Sequence, residues 1–413
     1  MIPLEEARRF VLDRVEPTEV VEVRIDQSQG LALAEVVRSD ELVPPFANSA
    51  MDGFAVRAAD TSPGARLKVV ATVAAGSGAE VTIATGEAAR IMTGALMPDG
   101  ADSVVMVEDT TVSVEPPSGE VVTIGHGVDA GHHVRPAGDD MRPGDEVLPA
   151  GTEVTPAVIG VLHTLGRRVV MVHRRPVVGV MSTGDELVEG GGPLGRGQIR
   201  DSNRPTLSAL AAAAGCEVVD LGVVRDDPDA IRDALHAGVA RCDAILSSGG
   251  VSMGDFDHVK AVLDEIGDMR WMQVAIRPAK PLAFGTIDSA RDDPTRAGRV
   301  PVFGLPGNPV SSIVSFELFA RPGLRRLMGH RSLDRPRVGA RAAEPLSRRS
   351  DGKVHFARVV TAPHPDGGLE VRSAGSQGSH HTAAMATADA LAVLPDGDGV
   401  SVGDAVEIIL LAP

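Results

Sequence analysis

The segment 182–187, STGDEL, places two carboxylates, Asp185 and Glu186, directly after a glycine that ends an apolar run. Gly184 allows backbone amides to approach a ligand closely. Adjacent carboxylates beside an anion indicate a divalent cation between them, because Mg2+ prefers one or two carboxylates together with phosphate oxygens. The alternative is an aspartate that caps a helix or a turn. This segment alone leaves both interpretations open.

Three further segments carry groups that can bind an anion. Residues 247–257, SSGGVSMGDFD, concentrate backbone N–H groups and hydroxyls, a usual means of holding phosphate, although a tight turn with a capping aspartate has the same composition. Residues 305–312, LPGNPVSS, form a rigid turn in which Asn308 can cap a helix and Pro309 can occupy its first position. Residues 275–281, AIRPAKP, hold two cations between prolines, and these either neutralise phosphate or are solvated surface charges.

The elements that must position these segments alternate between short apolar runs and amphipathic stretches. Runs rich in Val and Ile, bounded by Gly, Asp or Pro, predict strands at 176–181, 216–224, 243–248 and 300–305. Apolar residues at helical spacing predict helices at 204–215, 228–242 and 257–267. This alternation predicts an α/β domain with a mainly parallel sheet, whose ligands lie at the carboxyl ends of the strands. The four segments together therefore suggest a nucleotide or anion site with a metal ion.

Composition excludes several classes of partner. The chain has 413 residues and a net charge of -16, so it repels a nucleic-acid backbone, and the 2% of aromatic residues offers few stacking partners for exposed bases. No run of about 18 apolar residues occurs, and Glu5 and Glu6 interrupt the N-terminus, so we expect neither a membrane span nor export by a signal peptide. Two cysteines cannot build a disulfide framework, which fits the cytoplasm.

Two motifs of common enzyme classes are missing as well. GxxxxGK[ST] and HExxH do not occur, which disfavours P-loop and zincin functions. GxGxxG matches 190–195 and GxSxG matches 250–254 and 399–403, but such short patterns by themselves do not indicate a dehydrogenase or a hydrolase. The adjacent histidine pairs at 132–133 and 380–381 have a poor spacing for joint metal ligation from one helix or strand.

Short Val-rich runs flank the α/β region and indicate a small β domain on each side. A helical pattern beginning near Pro156 can pair with the N-terminal helix. We therefore predict a discontinuous domain at 1–44 and 141–175, a β-rich insertion at 45–140, the α/β domain at 176–330, and a C-terminal β domain at 331–413. Polar turns at 44–55, 91–95, 135–140 and 375–380 indicate no substrate by themselves.

Nine segments occur in the order seen in the molybdopterin molybdenumtransferases: PPFANSAMDGFAV, IMTGA followed by PDGADSVVMVE, RPAGDDMRPGD, STGDEL, IRDSNRPTL, SSGGVSMGDFDHVK, IRPAKPLAFG, LPGNPVSS and GSQGSH. The chain resembles this family, which includes the E domains of gephyrin and of the plant cofactor-synthesis protein, over essentially its whole length. The resemblance implies an L-shaped homodimer of four-domain subunits, with a three-layer α/β domain similar to molybdopterin adenylyltransferase and a barrel-like C-terminal domain. It implies molybdate and adenylylated molybdopterin as substrates, release of AMP, Mg2+ as cofactor, and the adenylyltransferase as a candidate partner.

The resemblance also assigns roles to residues of this sequence. The implied metal and pyrophosphate ligands are Asp185, Glu186 and Asp257, with Asp226 or Asp227 nearby. The implied catalytic residues are Asp52, Thr93, Asp140, Glu186, Asp227, Asp257 and Lys280. The implied substrate-binding residues are Ser182, Thr183, Gly184, Asn203, Ser248, Gly249, Gly250, Arg277, Pro306, Pro309, Arg358 and Ser379. Asp52, Thr93 and Asp140 are expected to reach the cleft of the second subunit, and Arg358 and Ser379 are expected to help hold the oxyanion.

The chain departs from the family pattern in two places. Many members read IKPGKP where this chain reads IRPAKP, so Arg277 replaces a lysine and Ala279 replaces a glycine. Arg277 can form a fork on an oxyanion but does not readily donate a proton. Phe54 stands where tyrosine is frequent, with the loss of a hydroxyl.

Two other functions stay open at this point. The α/β region is also expected of an adenylyltransferase that makes the intermediate from ATP and molybdopterin. A non-catalytic scaffold is the other alternative, as receptor clustering by gephyrin illustrates, although the intact acidic loops favour an enzyme. Molybdate and tungstate differ too little in size and charge for the sequence to separate them.

Overall fold

The computed structural model describes residues 1–115, 119–250, 258–289 and 298–411. Eight α-helices occur in these ranges: α1 (Leu4–Leu12), α2 (Pro156–Thr164), α3 (Asn203–Ala213), α4 (Pro228–Arg241), α5 (His258–Ile266), α6 (Pro309–Ser315), α7 (Arg321–Leu327) and α8 (Thr382–Thr387). A π-helical turn, Phe316–Ala320, joins α6 to α7. Among the described residues, no helix combines the length and the apolar composition needed to cross a membrane.

The strands of the N-terminal part are short and follow one another closely. They are β1 (Val20–Arg24), β2 (Val37–Arg38), β3 (Asn48–Ser49), β4 (Gly53–Val56), β5 (Arg66–Val73), β6 (Glu87–Ile91), β7 (Ser103–Met106), β8 (Thr110–Glu115), β9 (Gly119–Ile124), β10 (Val134–Arg135), β11 (Glu146–Leu148) and β12 (Val169–His173). Three single turns of 3-10 helix interrupt this region: Ile25–Gln27, Ala58–Asp60 and Val107–Asp109.

The remaining strands build the α/β domain and the C-terminal domain. They are β13 (Val177–Thr183), β14 (Leu187–Val188), β15 (Ile199–Arg200), β16 (Glu217–Val224), β17 (Ala244–Ser248), β18 (Gly267–Gln273), β19 (Ile276–Arg277), β20 (Pro281–Ser289), β21 (Gly298–Leu305), β22 (Arg337–Ala342), β23 (Leu346–Ser347), β24 (Val354–Pro363), β25 (Leu369–Ser373), β26 (Ala390–Leu394), β27 (Gly399–Val400) and β28 (Ala405–Leu410).

One six-stranded sheet organises the α/β domain, in the order β16-β13-β17-β21-β20-β18. The first four strands are mutually parallel and are the four predicted from the sequence, so their carboxyl ends meet at one edge. The last two, β20 and β18, add an antiparallel border that the sequence analysis did not predict. The predicted helices correspond to α3, α4 and α5. The predicted α/β class with a mainly parallel sheet is therefore confirmed.

Alternate residues of the central strands enter two separate hydrophobic cores. Leu246 of β17 belongs to one core and its neighbour Ile245 to the other, and Phe303 and Val302 of β21 divide in the same way. Successive side chains of a strand point to opposite faces, so both faces of the sheet are covered. This three-layer packing holds the strand ends in fixed register.

The C-terminal domain is a closed barrel. Its strands run β24-β25-β22-β28-β26, and β26 pairs back onto β24, which leaves no open edge among these five. Apolar side chains such as Val359, Val371 and Ile408 fill its interior. The predicted barrel-like domain is confirmed.

Residues 36–149 together with 160–168 form one compact unit, and the rest of the described chain forms a second. The first unit contains a six-stranded sheet in the order β7-β4-β6-β5-β9-β8, with a small apolar core on each face. The predicted β-rich character of this region is confirmed. The finer division into four domains stays a prediction.

We predict that Val302→Ala lowers the free energy of unfolding by about 2 kcal/mol, because Val302 is fully buried and the substitution removes two methyl groups and leaves a cavity. Val402→Ala is the matched control, because Val402 is 60% exposed, and it is expected to change stability by less than about 0.5 kcal/mol. Denaturant unfolding followed by circular dichroism measures both. Equal losses would contradict the assignment of Val302 to the core.

Candidate functional site

The side-chain amide of Asn203, the first residue of α3, connects two of the strand-end segments. Its Nδ2 donates to Ser248 Oγ at 2.8 Å and to the carbonyl of Gly307 at 2.7 Å. Ser248 ends β17, and Gly307 lies in the turn after β21. The predicted convergence of the serine-glycine segment and the PGNP turn is therefore observed, with Asn203 as the link.

Two glycines shape the loop after β17. Gly249 and Gly250 have φ values of 98° and 65°, in the left-handed region that side chains disfavour. A Cβ on Gly249 would lie 2.7 Å from the carbonyl oxygen of Thr183, and one on Gly250 would overlap Val259. The loop therefore requires glycine at both positions. Residues 251–257, including the predicted ligand Asp257, lie outside the described residues.

The carboxylates after β13 are exposed at the same sheet edge. Asp185 accepts a hydrogen bond from the backbone N–H of Asp226 at 3.3 Å. Glu186 folds back over Gly184, where a Cβ would lie 2.5 Å from a carboxylate oxygen. Neither carboxylate pairs with a cation in the described part of the chain, and no group of three metal-ligating side chains occurs there. The metal prediction stays untested.

Asp227 acts as a helix cap. It occupies the N-cap of α4, and its carboxylate accepts from the backbone N–H of Ala230 at 2.9 Å. Asn308 holds the corresponding position before α6 without a side-chain capping bond, while Pro309 takes the first helical turn as expected. Helix capping therefore accounts for an aspartate at 227. It does not account for an asparagine at 308, because the Asn308 side chain makes no capping bond.

A buried arginine that the sequence analysis missed braces the start of α3. Arg204 donates to Asp201 at 3.0 Å and also pairs with Asp220 and Glu189. Asp201 in turn accepts from the hydroxyl of Ser182 at 3.1 Å. The predicted residue Ser182 is thus held within an ion-pair network. Only the folded chain brings these four charged residues together.

A cavity of about 330 Å³ lies where the segment 276–281 meets the C-terminal barrel, and we call it the cationic cavity. The predicted residues Arg277, Lys280, Pro306 and Ser379 all line it. Lys353 and Gln377 also line it, although the sequence analysis had not singled them out. The structure therefore gathers residues from four separate segments around one cavity with three cationic side chains.

The charges of the cationic cavity are only partly compensated. Lys353 donates to Asp351 at 2.9 Å, and this bond, with a second one from His355, lowers the pKa of the Asp351 carboxyl to about 2. Arg277 lies 4.0 Å from the same carboxylate and is 66% exposed. No carboxylate among the described residues pairs with Lys280. A net positive potential is left for an anion.

Arg358 supports the wall of the cationic cavity from inside the barrel and does not line the cavity itself. Its side chain is fully buried, and Nη2 donates to the carbonyls of Ser376 at 2.8 Å and Gly378 at 3.2 Å. Nε and Nη1 have no hydrogen-bond partner, and burial lowers the pKa of the guanidinium from its ordinary value. The side-chain amide of Gln377 binds β24 at Arg358. It accepts from the Arg358 N–H and donates to the Arg358 carbonyl, both at 2.9 Å.

Residues expected from the β-rich insertion form a separate polar pair. Asp52 accepts from the backbone N–H of Thr93 at 2.7 Å and from its hydroxyl at 2.8 Å. These bonds, the backbone one first, hold the pKa of the Asp52 carboxyl below its ordinary value. Asp140 is exposed in a loop and makes no side-chain hydrogen bond to a described residue. The structure therefore brings Asp52 and Thr93 into contact, while their role at the cleft of a second subunit stays a prediction.

Comparison with known protein families identifies the family to which this chain belongs. The MoeA N-terminal region (domain I and II) matches residues 2–166, a probable molybdopterin binding domain matches 179–326, and the MoeA C-terminal region (domain IV) matches 340–411. A molybdopterin molybdenumtransferase of Haemophilus influenzae is 36% identical over 410 residues, which cover 99% of this chain and 98% of that protein. The chain belongs to the molybdopterin molybdenumtransferase family.

Other family members agree with this assignment. The molybdopterin molybdenumtransferase of Bacillus subtilis is 34% identical, over 99% of this chain and 94% of that protein. A molybdopterin biosynthesis MoeA protein of Pyrococcus horikoshii has a similar solved structure, with 30% identity, a TM-score of 0.75 and full coverage of both chains. A second structure of a MoeA protein from that organism has a TM-score of 0.81 at 26% identity, covering 99% of this chain and 100% of the other.

Within this molybdenumtransferase-family chain, Ala279 marks a local departure. It has a φ of 74°, a conformation that glycine adopts freely and alanine adopts at a cost of about 1–2 kcal/mol. Ala279 is buried between Arg277 and Lys280, so the strain falls on the segment that presents both cations. Many family members have glycine at this position because the turn needs a positive φ.

We predict that Thr93→Val raises the pKa of Asp52 toward that of an isolated aspartate, because one of its two hydrogen bonds is lost. A depressed carboxyl pKa stabilises the fold above the unfolded-state pKa, and this contribution is lost as pH falls through the folded-state pKa. Carboxyl-carbon NMR titration measures the shift, with the exposed Thr111→Val as control. An unchanged Asp52 titration would contradict the hydrogen bond.

Proposed function

We propose that this chain transfers molybdenum from molybdate to adenylylated molybdopterin, with release of AMP. The observation that carries the proposal is the cationic cavity. It borders the PGNP turn through Pro306 and Asn308, and the same turn is tied through Asn203 to the glycine loop after β17. An oxyanion site and a phosphate site thus share one structural element, as a reaction between an oxyanion and a pyrophosphate ester requires.

The cationic cavity suits a tetrahedral dianion. Arg277 offers a planar fork of N–H donors, and Lys280 adds a compact charge on the other side of the turn. Ser379 supplies a hydroxyl from the loop after β25, while the Gln377 amide is bonded to the backbone of Arg358 and shapes the wall. Arg358 keeps the Gln377–Ser379 loop in place and adds positive potential from behind it. This donor set binds and orients molybdate but does not distinguish it from tungstate.

The carboxylates of Asp185 and Glu186 fit Mg2+ as a cofactor. Both are exposed at the strand ends, and both lack a cationic partner among the described residues, so they can share the ion with pyrophosphate oxygens. The ion, when bound, neutralises charge on the pyrophosphate group during cleavage. Asp257 belongs to the proposed ligand set from the family pattern. The backbone N–H groups of the Gly249–Gly250 loop hold and orient the phosphates.

The proposal includes a homodimer in which Asp52, Thr93 and Asp140 act on the cleft of the second subunit. Four large apolar side chains beside Asp52 and Thr93 support this, because Phe46, Met51, Met92 and Leu96 are 37–42% exposed. A cluster of exposed apolar residues is typical of a protein interface. The adenylyltransferase that makes the substrate is a proposed transient partner, and the proposed location is the cytoplasm.

The direct test supplies purified protein with adenylylated molybdopterin, Mg2+ and molybdate, and measures AMP release together with metallated cofactor. We expect both products in equal amounts, and neither when molybdate is left out. ATP consumption without molybdate would instead identify an adenylyltransferase. Binding of the substrates without any turnover would identify a scaffold.

We predict that Arg277→Ala and Lys280→Ala each raise the molybdate concentration needed for half-maximal rate by about tenfold to a hundredfold, since a charged hydrogen bond contributes about 1.5–3 kcal/mol. Arg337→Ala is the control, because Arg337 lies on the barrel surface and pairs with Glu407. Initial rates over a molybdate series measure the effect. An equal molybdate requirement in all three variants would show that the cationic cavity does not bind molybdate.

A further inference from the structure

The carboxylate of Asp351 gathers four basic side chains at the edge of the cationic cavity. It accepts hydrogen bonds from Lys353 at 2.9 Å, from Arg348 at 3.0 Å and from His355 at 3.1 Å. The guanidinium of Arg277 lies 4.0 Å from the same carboxylate. One negative charge therefore neutralises only part of the positive charge around it.

The basic partners of Asp351 line two adjoining cavities. Lys353 lines the cationic cavity, whereas Arg348 and His355 line a neighbouring cavity of about 480 Å³. Arg277 lines both cavities, and Asp351 itself lines neither. The carboxylate is therefore close enough to act on the cations of the oxyanion site without occupying the space that an oxyanion needs.

Asp351 is anchored from its backbone side. Its N–H donates to the carboxylate of Asp396 at 3.0 Å, and the hydroxyl of Ser350 donates to the same carboxylate at 3.0 and 3.1 Å. The side chain of Arg348 is 1% exposed and bonds to both aspartates. The position of the Asp351 carboxylate is therefore fixed by the barrel and does not depend on an anion in the cavity.

The two cavity cations next to Asp351 differ in their freedom. Lys353 gives one hydrogen bond to Asp351, and its ammonium group has three donors, so it can still donate to a ligand. Arg277 is 66% exposed and makes no hydrogen bond at 4.0 Å, so it can turn toward either anion. An oxyanion in the cationic cavity therefore competes with Asp351 for both cations.

We propose that Asp351 is a positioning residue and an internal counter-ion of the oxyanion site. It holds Lys353 at the wall of the cationic cavity, and it competes with the bound oxyanion for Lys353 and Arg277. The proposal rests on the proposed function, which supplies a tetrahedral dianion as a substrate. A fixed negative charge beside the cations weakens their hold on this dianion, so that molybdate binds reversibly and stays available for transfer.

The substitution Asp351→Asn tests the counter-ion, because it removes the charge and keeps an acceptor for Lys353. We expect molybdate alone to bind about tenfold more tightly, measured by calorimetry on the full-length protein at low ionic strength. Structural damage would weaken binding, so a gain of affinity separates a counter-ion from a structural role. Unchanged or weaker binding overturns the proposal, as does a wild-type protein that does not bind molybdate at millimolar concentration.

Asp366→Asn is the matched control for this measurement. The Asp366 side chain is 89% exposed in the turn that follows β24, whereas Lys353 directly precedes that strand. The substitution makes the same change in net charge at the opposite end of β24, and molybdate affinity is expected to stay at the wild-type value. An equal gain in both variants would mean that net charge alone sets the affinity, which overturns the proposal.

A double-mutant cycle with Lys353→Met tests the positioning role. This variant removes the ammonium group and is expected to weaken molybdate binding about tenfold, because a charged hydrogen bond is lost. In this background Asp351→Asn is expected to improve binding by about threefold or less, since the cation that it would release is gone. Equal gains with and without Lys353 overturn the proposal that Asp351 acts through that residue.

Molybdenum insertion is measured in parallel, so that two failures can be told apart. For Asp351→Asn we expect a lower KM for molybdate and no rise in kcat, because the change strengthens binding of the unreacted oxyanion. Insertion by the wild-type protein, with no gain of affinity in Asp351→Asn, overturns the counter-ion proposal alone. A lack of insertion in an assay that a known family member passes overturns the proposed function itself.

Discussion

The two hydrogen bonds from the Asn203 amide are the interaction on which the candidate site depends. They fix the serine-glycine loop after β17 relative to the turn after β21, at 2.8 and 2.7 Å. The loop is expected to carry phosphates, and the turn lines the cationic cavity through Pro306 and Asn308. A single amide therefore sets the spacing of these two parts of the candidate site. Asn203 itself is oriented by the start of α3, which Arg204 braces through its ion pairs with Asp201, Asp220 and Glu189.

Much of the fold follows from local patterns in the sequence. The four parallel strands and the helices between them were predictable from local patterns. Strands buried on both faces are continuous apolar runs, and helices packed on a sheet repeat apolar residues at helical spacing. The two antiparallel border strands were not predicted. Their pattern is partly polar, as in the segment Gly267–Gln273. Their place in the sheet depends on the pairing of β20 with β21 and of β18 with β20, not on local composition.

The site was predictable to the extent that its residues lie in compact motifs. The family pattern named Arg277, Lys280, Pro306 and Ser379 as site residues, and the structure brings these four together around one cavity. Lys353 was not predicted because it is an isolated polar residue whose position depends on the closure of the barrel. Gln377 lies in the quoted segment GSQGSH, but the family pattern assigned a role there only to Ser379. Arg358 shows a different limit of the sequence, because only the structure reveals that its guanidinium is fully buried and acts on the loop from behind.

The most direct measurement is the position of molybdenum in a crystal of the protein soaked with molybdate and AMP. Anomalous scattering collected across the molybdenum edge locates the metal without assumptions about the chemistry. We predict one strong peak within hydrogen-bonding reach of Arg277, Lys280 and Ser379. A fully occupied molybdenum site elsewhere in the molecule, with the cationic cavity empty, would contradict it.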